Sequence, residues 1–201
     1  MRPAVFFAAV PVLIAVLGLS ACGTTVTRMD AAETKDLSGA WNDTDSRLVS
    51  EEMIQDVLAR PWYQTYTQAK KKTPVVIVGE VRNLSHEHIN VNTFVADLER
   101  SLINSGKVEF VASRTERADV REERKDQDIH AREDTRKPMG QEIGADYMLQ
   151  GTINTIIDVS GSTQVRFYQV DLNLISLADN RKVWQGQKKI KKLVERSQLR
   201  Y

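Results

Sequence analysis

An α+β domain on a single mixed, largely antiparallel sheet of about four to five strands with flanking helices is the fold class this sequence predicts. Three observations predict it. Helix-spaced and strand-like segments alternate from Asp45 to Ser113, three strand patterns separated only by short turns close the chain from Ala145, and no internal repeat or low-complexity tract interrupts them. The 201 residues leave room for one domain with a real core once a leader is set aside.

The leader comes first. Arg2 precedes an apolar run from Pro3 to Leu19 and then small residues, so residues 1–21 read as a secretory signal peptide. The run is too short and too proline-interrupted for a comfortable membrane span. Cys22, the only cysteine, cannot form an internal disulfide, and an exported chain would carry a reactive odd thiol unless something consumes it. Leu19-Ser20-Ala21-Cys22 resembles the bacterial lipobox, which implies cleavage before Cys22 and acylation of its thiol. Two or three acyl chains anchor firmly where one binds only marginally. In Gram-negative lipoproteins, which this pattern resembles, an aspartate after the cysteine favours retention at the inner membrane; with Gly23 in that place, the resemblance implies the periplasmic face of the outer membrane as the expected address. Residues 22–44 are then the lipidated cysteine and a flexible tether, whose ~20 residues reach at most roughly 70 Å. Trp41 is out of place in a tether and is expected to pack on the edge of the domain.

The globular domain is expected over residues 45–201. Val49, Met53 and Val57, with Ile54 and Leu58, recur at three- and four-residue spacing behind Asp45 as N-cap, giving a helix that ends near Arg60-Pro61. "PVVIVGEVRN" is a short β-branched run between Pro74 and Asn83 and reads as a buried strand. In "NTFVADLERSLINSG", Phe94, Val95, Leu98, Leu102 and Ile103 share one face of a helix that starts at Asn92 and stops at Gly106. "KVEFVAS" is the next strand. Ser113 and Glu116 form a capping-box pattern that launches a charged helix, and a further helix is expected from about Arg136 to Ile143, stopping at Gly144. The last strands are "ADYMLQGTINTIIDV", "QVRFYQVDLNLISL" and "RKVWQGQKKI", joined by turns at 161–162 and 178–180. The middle one alternates, with Tyr168, Val170, Leu172 and Leu174 on one face and Gln169, Asp171 and Asn173 on a wet one.

Charge excludes some functions. Lys and Arg number 28 against 27 Asp and Glu, and removal of Arg2 with the leader balances them at 27 each, so nothing demands nucleic acid or another polyanion. The stretch 114–137 holds sixteen charged residues among 24, eight of each sign, which describes a solvated, salt-bridged segment and not a cluster of catalytic acids. The basic end "KKIKKLVERSQLRY" fits either an edge strand protected by lysines or contact with an anionic surface. P-loop, GxGxxG, CxxC and Ser-x-x-Lys patterns are all missing, so no catalytic residues, cofactor or small-molecule substrate are expected. His86-Glu87-His88 places two imidazoles on one side of an extended segment but lacks the further ligands a metal needs, and a solvated loop is the expected reading.

"DLSGAWNDTDSRLVSEEMIQDVL", "PVVIVGEVRN", "HINVNTFVADLERSLINSGKVEFVAS", "IGADYMLQGTI" and "YQVDLNLISLADNRKVWQGQKKIKK" together resemble the LpoB family of outer-membrane lipoprotein activators of penicillin-binding proteins, over roughly residues 37 to 192. The resemblance implies a non-enzymatic protein whose fold is similar to the amino-terminal domain of TolB and to CsgG-like proteins. It also implies a partner, the regulatory domain of a class A penicillin-binding protein, and places the partner-binding surface on the charged stretch, with Arg114, Arg117, Arg121, Glu122, Arg124 and Lys125 as its candidate residues. The family's best-studied branch has a long proline-rich tether, whereas residues 23–44 are short and contain no proline. The alternative reading is a CsgG/TolB-like assembly or scaffolding lipoprotein with a different periplasmic partner.

Overall fold

The computed structural model describes residues 26–31 and 33–195, and divides the chain into a unit up to Glu33 and a domain from Thr34 onward. The signal peptide, Cys22 and the first part of the tether lie outside the described residues, as do the last six residues of the basic end. In the domain, helices α1 (Asp43–Ala59) and α2 (Pro61–Lys70) precede strand β1 (Val75–Asn83), followed by α3 (Val91–Asn104), β2 (Glu109–Phe110), α4 (Arg114–His130), β3 (Tyr147–Ser160), β4 (Thr163–Ser176) and β5 (Lys182–Glu195). The sheet order is β2-β1-β3-β4-β5; β1 is parallel to both neighbours, and β3, β4 and β5 form an antiparallel meander. This is the mixed α+β sheet the sequence predicts.

Parallel neighbours need crossovers. Helix α3 supplies the one from β1 to β2. The return from β2, at the sheet edge, to β3, on the far side of β1, is made by α4 and the irregular residues 131–146.

The core lies between the sheet and the pair α1 and α3. Val49, Met53 and Val57 of α1 meet Phe94, Leu98 and Leu102 of α3, and both rows rest on Val76, Val78, Leu149, Ile153, Val170, Leu172, Leu174 and Trp184. In β4 the residues from Tyr168 to Leu174 alternate as expected, buried at even numbers and half-exposed at odd ones. Residues 161 and 162 form a two-residue hairpin loop with Gly161 at φ +59°, and Gly106 stands at φ +63° just past α3.

Four local expectations need correcting. Asn42, not Asp45, is the N-cap of α1: its side chain accepts from the Asp45 amide, while the Asp45 carboxylate accepts from the Asn42 amide. Pro61 does not simply end a helix; it opens α2 at the first helical position, where its missing N–H costs nothing. The strand expected from "KVEFVAS" shrinks to Glu109–Phe110. No helix forms from Arg136 to Ile143, because Pro138 and a left-handed Gly140 (φ +79°) sit inside a stretch only eight residues long.

Asp146 fixes where the sheet begins. Its carboxylate accepts from the Tyr66 hydroxyl at 2.6 Å and the Val75 amide at 2.9 Å, with Lys72 at 3.6 Å, which ties α2 to the starts of β1 and β3. Burial alone would raise this carboxyl, but Tyr66, Val75 and Lys72 outweigh it and hold it below the usual aspartate range. A depressed carboxylate contributes stability above its unfolded value of ~4 and loses it as pH falls through the folded value. Asp146→Asn should therefore lower unfolding free energy at pH 7 by about 2 kcal/mol. Urea titrations of both proteins should show the gap narrowing as pH falls below the ordinary aspartate range; a gap independent of pH would contradict this account.

Candidate functional site

Helix α4 buries no side chain. Ser113 caps it, its hydroxyl accepting from the Glu116 amide, and the Glu116 carboxylate accepts in return from the Ser113 amide at 2.8 Å. These bonds hold Glu116 below the ordinary glutamate range. The capping box forms where the sequence places it.

The six candidate residues separate. Arg117, Arg121 and Arg124, spaced by four and three, share the half-buried face of α4, and there they meet one acid, Glu142, from the irregular connection. Arg121 donates to it through Nε at 2.7 Å and Nη2 at 2.8 Å, a two-pronged pair, and Arg124 Nη1 lies 3.7 Å away. The Arg121 hydrogen bonds, with smaller contributions from the charges of Arg121, Arg117 and Arg124, hold the Glu142 carboxyl below its usual range although partial loss of solvent opposes them. Lys137 adds a backbone N–H donated to Gln127 Oε1 at 3.2 Å. Glu122 and Lys125 pair with each other at 2.6 Å as exposed side chains, and Arg114 stands exposed in the first turn. Arg117 Nε and Arg124 Nη1 are shielded from solvent and have no hydrogen-bond acceptor.

A second polar centre sits where the tether was expected to end. Residues 36–42 run against the sheet before α1 begins at Asp43. Glu87, read in the sequence only as the middle of His86-Glu87-His88, accepts from the Trp41 amide at 3.1 Å, the Tyr168 hydroxyl at 2.8 Å and Arg166 Nη1 at 2.8 Å. Lys192 donates to Asp36 at 2.7 Å, Asp45 at 2.6 Å and the Ala40 carbonyl at 3.2 Å. The Trp41 ring lies edge-on to Phe94 and Tyr168, and its Nε1 donates to the Ser46 hydroxyl at 2.9 Å, so Trp41 packs on the domain's edge as the sequence reading holds. Burial, then the bond to Glu87, pushes the Tyr168 phenol up. Among the described residues no three His, Cys, Asp or Glu side chains gather as metal ligands.

The basic strand divides by side. Lys188 and Lys192 point toward α1, where Lys188 pairs with Glu52, while Lys189 and Lys191 project from the other face of β5, an edge strand. Charges along an open edge oppose strand-to-strand pairing with another chain.

Comparison with known proteins gives these features a family. A family model described as the peptidoglycan-synthase activator LpoB matches residues 45–190, nearly the whole domain. The chain belongs to the LpoB family. A search of the curated proteins finds no match. Solved structures similar to it include the LpoB carboxy-terminal domain from Escherichia coli, with 16% identity and a TM-score of 0.45, covering 74% of this chain and 99% of that one. The corresponding domain from Salmonella enterica matches at 16% identity and a TM-score of 0.42, with the same coverage. The solution structure of Escherichia coli LpoB matches at 15% identity and a TM-score of 0.41, covering 98% of this chain and 92% of that one. The stretch matched by the LpoB model includes all of α4, Glu87, Glu142 and Lys188. Among the described residues no helix is long and apolar enough to cross a membrane.

Proposed function

We propose that this chain is an outer-membrane lipoprotein, anchored through acylated Cys22, that binds and activates a class A penicillin-binding protein and so regulates peptidoglycan synthesis without catalysing a reaction itself. The match to the family of peptidoglycan-synthase activators over residues 45–190 carries this reading. Helix α4 supports it as the partner surface: it carries Arg114, Arg117, Arg121, Glu122, Arg124 and Lys125, contributes nothing to the core, and spends seventeen residues on a crossover. The groups a hydrolase or transferase would use are missing from the sequence motifs.

The test has two arms. Crosslinking of the native lipoprotein in cells should recover a protein labelled by fluorescent penicillin, and the purified chain should stimulate that synthase in glycan polymerisation or crosslinking assays while neither hydrolysing peptidoglycan nor taking up penicillin. Palmitate labelling tests the anchor. Cys22→Ser should abolish the label and release the chain from the outer-membrane fraction. A wild-type chain that takes up no palmitate would overturn the anchor, and one that recovers no penicillin-labelled partner would overturn the function.

A further inference from the structure

The face of α4 that meets Glu142 holds more positive charge than it can satisfy. Three guanidinium groups share one carboxylate, and Glu142 spends both oxygens on Arg121. Arg124 is left at 3.7 Å, beyond hydrogen-bond reach, and Arg117 acts on Glu142 only through its field. The shielded Arg117 Nε and Arg124 Nη1 therefore lack acceptors. A shielded donor without an acceptor loses water and gains nothing in return, most severely when it belongs to a charged group. Such a position is stable only at a cost unless another acid completes it.

We propose that the Arg117–Arg121–Arg124 face of α4 receives a carboxylate side chain from the synthase, which docks beside Glu142 on the guanidinium nitrogens that the half-exposed Arg117 and Arg124 leave open to solvent. This rests on the function proposed above and specifies its contact. Guanidinium forks match carboxylates in plane and spacing, and Arg121 with Glu142 already shows that pairing on the same face. The fixed Arg121–Glu142 pair holds the helix and the connecting segment in place, so less ordering is needed when the partner arrives. Val120, three residues from Arg117 and four from Arg124, is 45% exposed and gives the contact an apolar neighbour.

The charge of the whole helix identifies the class of occupant. Residues 114–130 carry five basic side chains against six acidic ones, with Asp119, Glu122, Glu123 and Asp126 turned away from the arginine face, Glu116 in the capping box, and the exposed Asp128 at the carboxy-terminal end of the arginine face. An extended polyanion or an anionic membrane laid along α4 would meet that acidic flank and be repelled. A protein surface presenting an acid to the arginines and bases to the flank satisfies both sides.

Binding of the full chain, purified in detergent, to the cell's class A penicillin-binding proteins, detected with fluorescent penicillin at low and high salt, tests the site. Arg117→Gln/Arg124→Gln should weaken binding at least about tenfold, mainly by slowing association, and should flatten the salt dependence. Arg117→Lys/Arg124→Lys, which keeps charge but loses the fork, should fall between that variant and wild type. Arg47 and Arg100 line a groove between α1 and α3, paired with Glu51 and Asp97; Arg47→Gln/Arg100→Gln removes the same charge there and should change affinity less than about twofold. Helical content and thermal midpoint of each variant are measured alongside. Wild-type affinity in a folded Arg117→Gln/Arg124→Gln protein overturns this site and leaves the proposed function standing, as does equal loss in the Arg47→Gln/Arg100→Gln control. A wild-type chain that binds no synthase overturns both. Vesicles of phosphatidylethanolamine and phosphatidylglycerol form a further arm. Wild-type binding to them that disappears in Arg117→Gln/Arg124→Gln, with synthase binding intact, would assign the arginines to lipid and sink the proposal.

Discussion

Glu87→Ala should destabilise the domain by about 3 kcal/mol, because it strips the acceptor from a charged donor and two neutral ones at once. Glu87 and Arg166 keep only 16% and 15% of their side-chain surface exposed, so water replaces little of what the carboxylate supplied. The Arg166 charge, the Trp41 amide and the Tyr168 hydroxyl lose that partner, although Tyr168 retains a bond to the Gly39 carbonyl at 3.1 Å. In urea unfolding, Glu87→Ala/Arg166→Gln should cost less than the sum of the single changes, since the second removes the charge that the first abandons. A loss below about 1 kcal/mol for Glu87→Ala would place this network among ordinary exposed ion pairs.

Phe94→Ala should cost about 3 to 5 kcal/mol, the range for emptying an aromatic site that cannot collapse. Phe94 is fully buried on the inner face of α3, and the Trp41 ring stands over it at 6.2 Å between centroids. The change therefore removes core volume and the floor on which the segment before α1 rests. Trp41→Ala should cost less, and the two together should fall short of additivity, because each ring loses its partner when the other goes. Strict additivity in equilibrium unfolding would mean that the rings stabilise the fold independently.

The difference between what the sequence discloses and what it conceals follows from the range of the interactions. Tyr168, Val170, Leu172 and Leu174 announce a buried strand face because alternation with period two is local. Ser113 and Glu116 announce a helix start for the same reason. Glu87 gives no such signal: in sequence it is an acid between two histidines, and its partners Arg166 and Tyr168 are 79 and 81 residues away. The arginines of α4 are legible as charge, yet Glu142, which separates Arg117, Arg121 and Arg124 from Glu122 and Lys125, is not, because nothing local marks an acid in an irregular connection as their counter-ion. Pro61 misleads through its double meaning, ending one helix and beginning another. Pro138 and Gly140 supply the local veto that the expected helix at 136–143 disregards.

The segment from Asp36 to Asn42 also decides how a mechanical load would enter the domain. A pull from the amino-terminal side of Asp36 reaches the Asp36–Lys192 clasp before it reaches α1, and behind that clasp stand the Trp41 and Glu87 contacts and the long β4–β5 ladder. Tension is thus shared with a strand paired along nearly its whole length, and α1, whose inner face packs against α3, is spared the first strain.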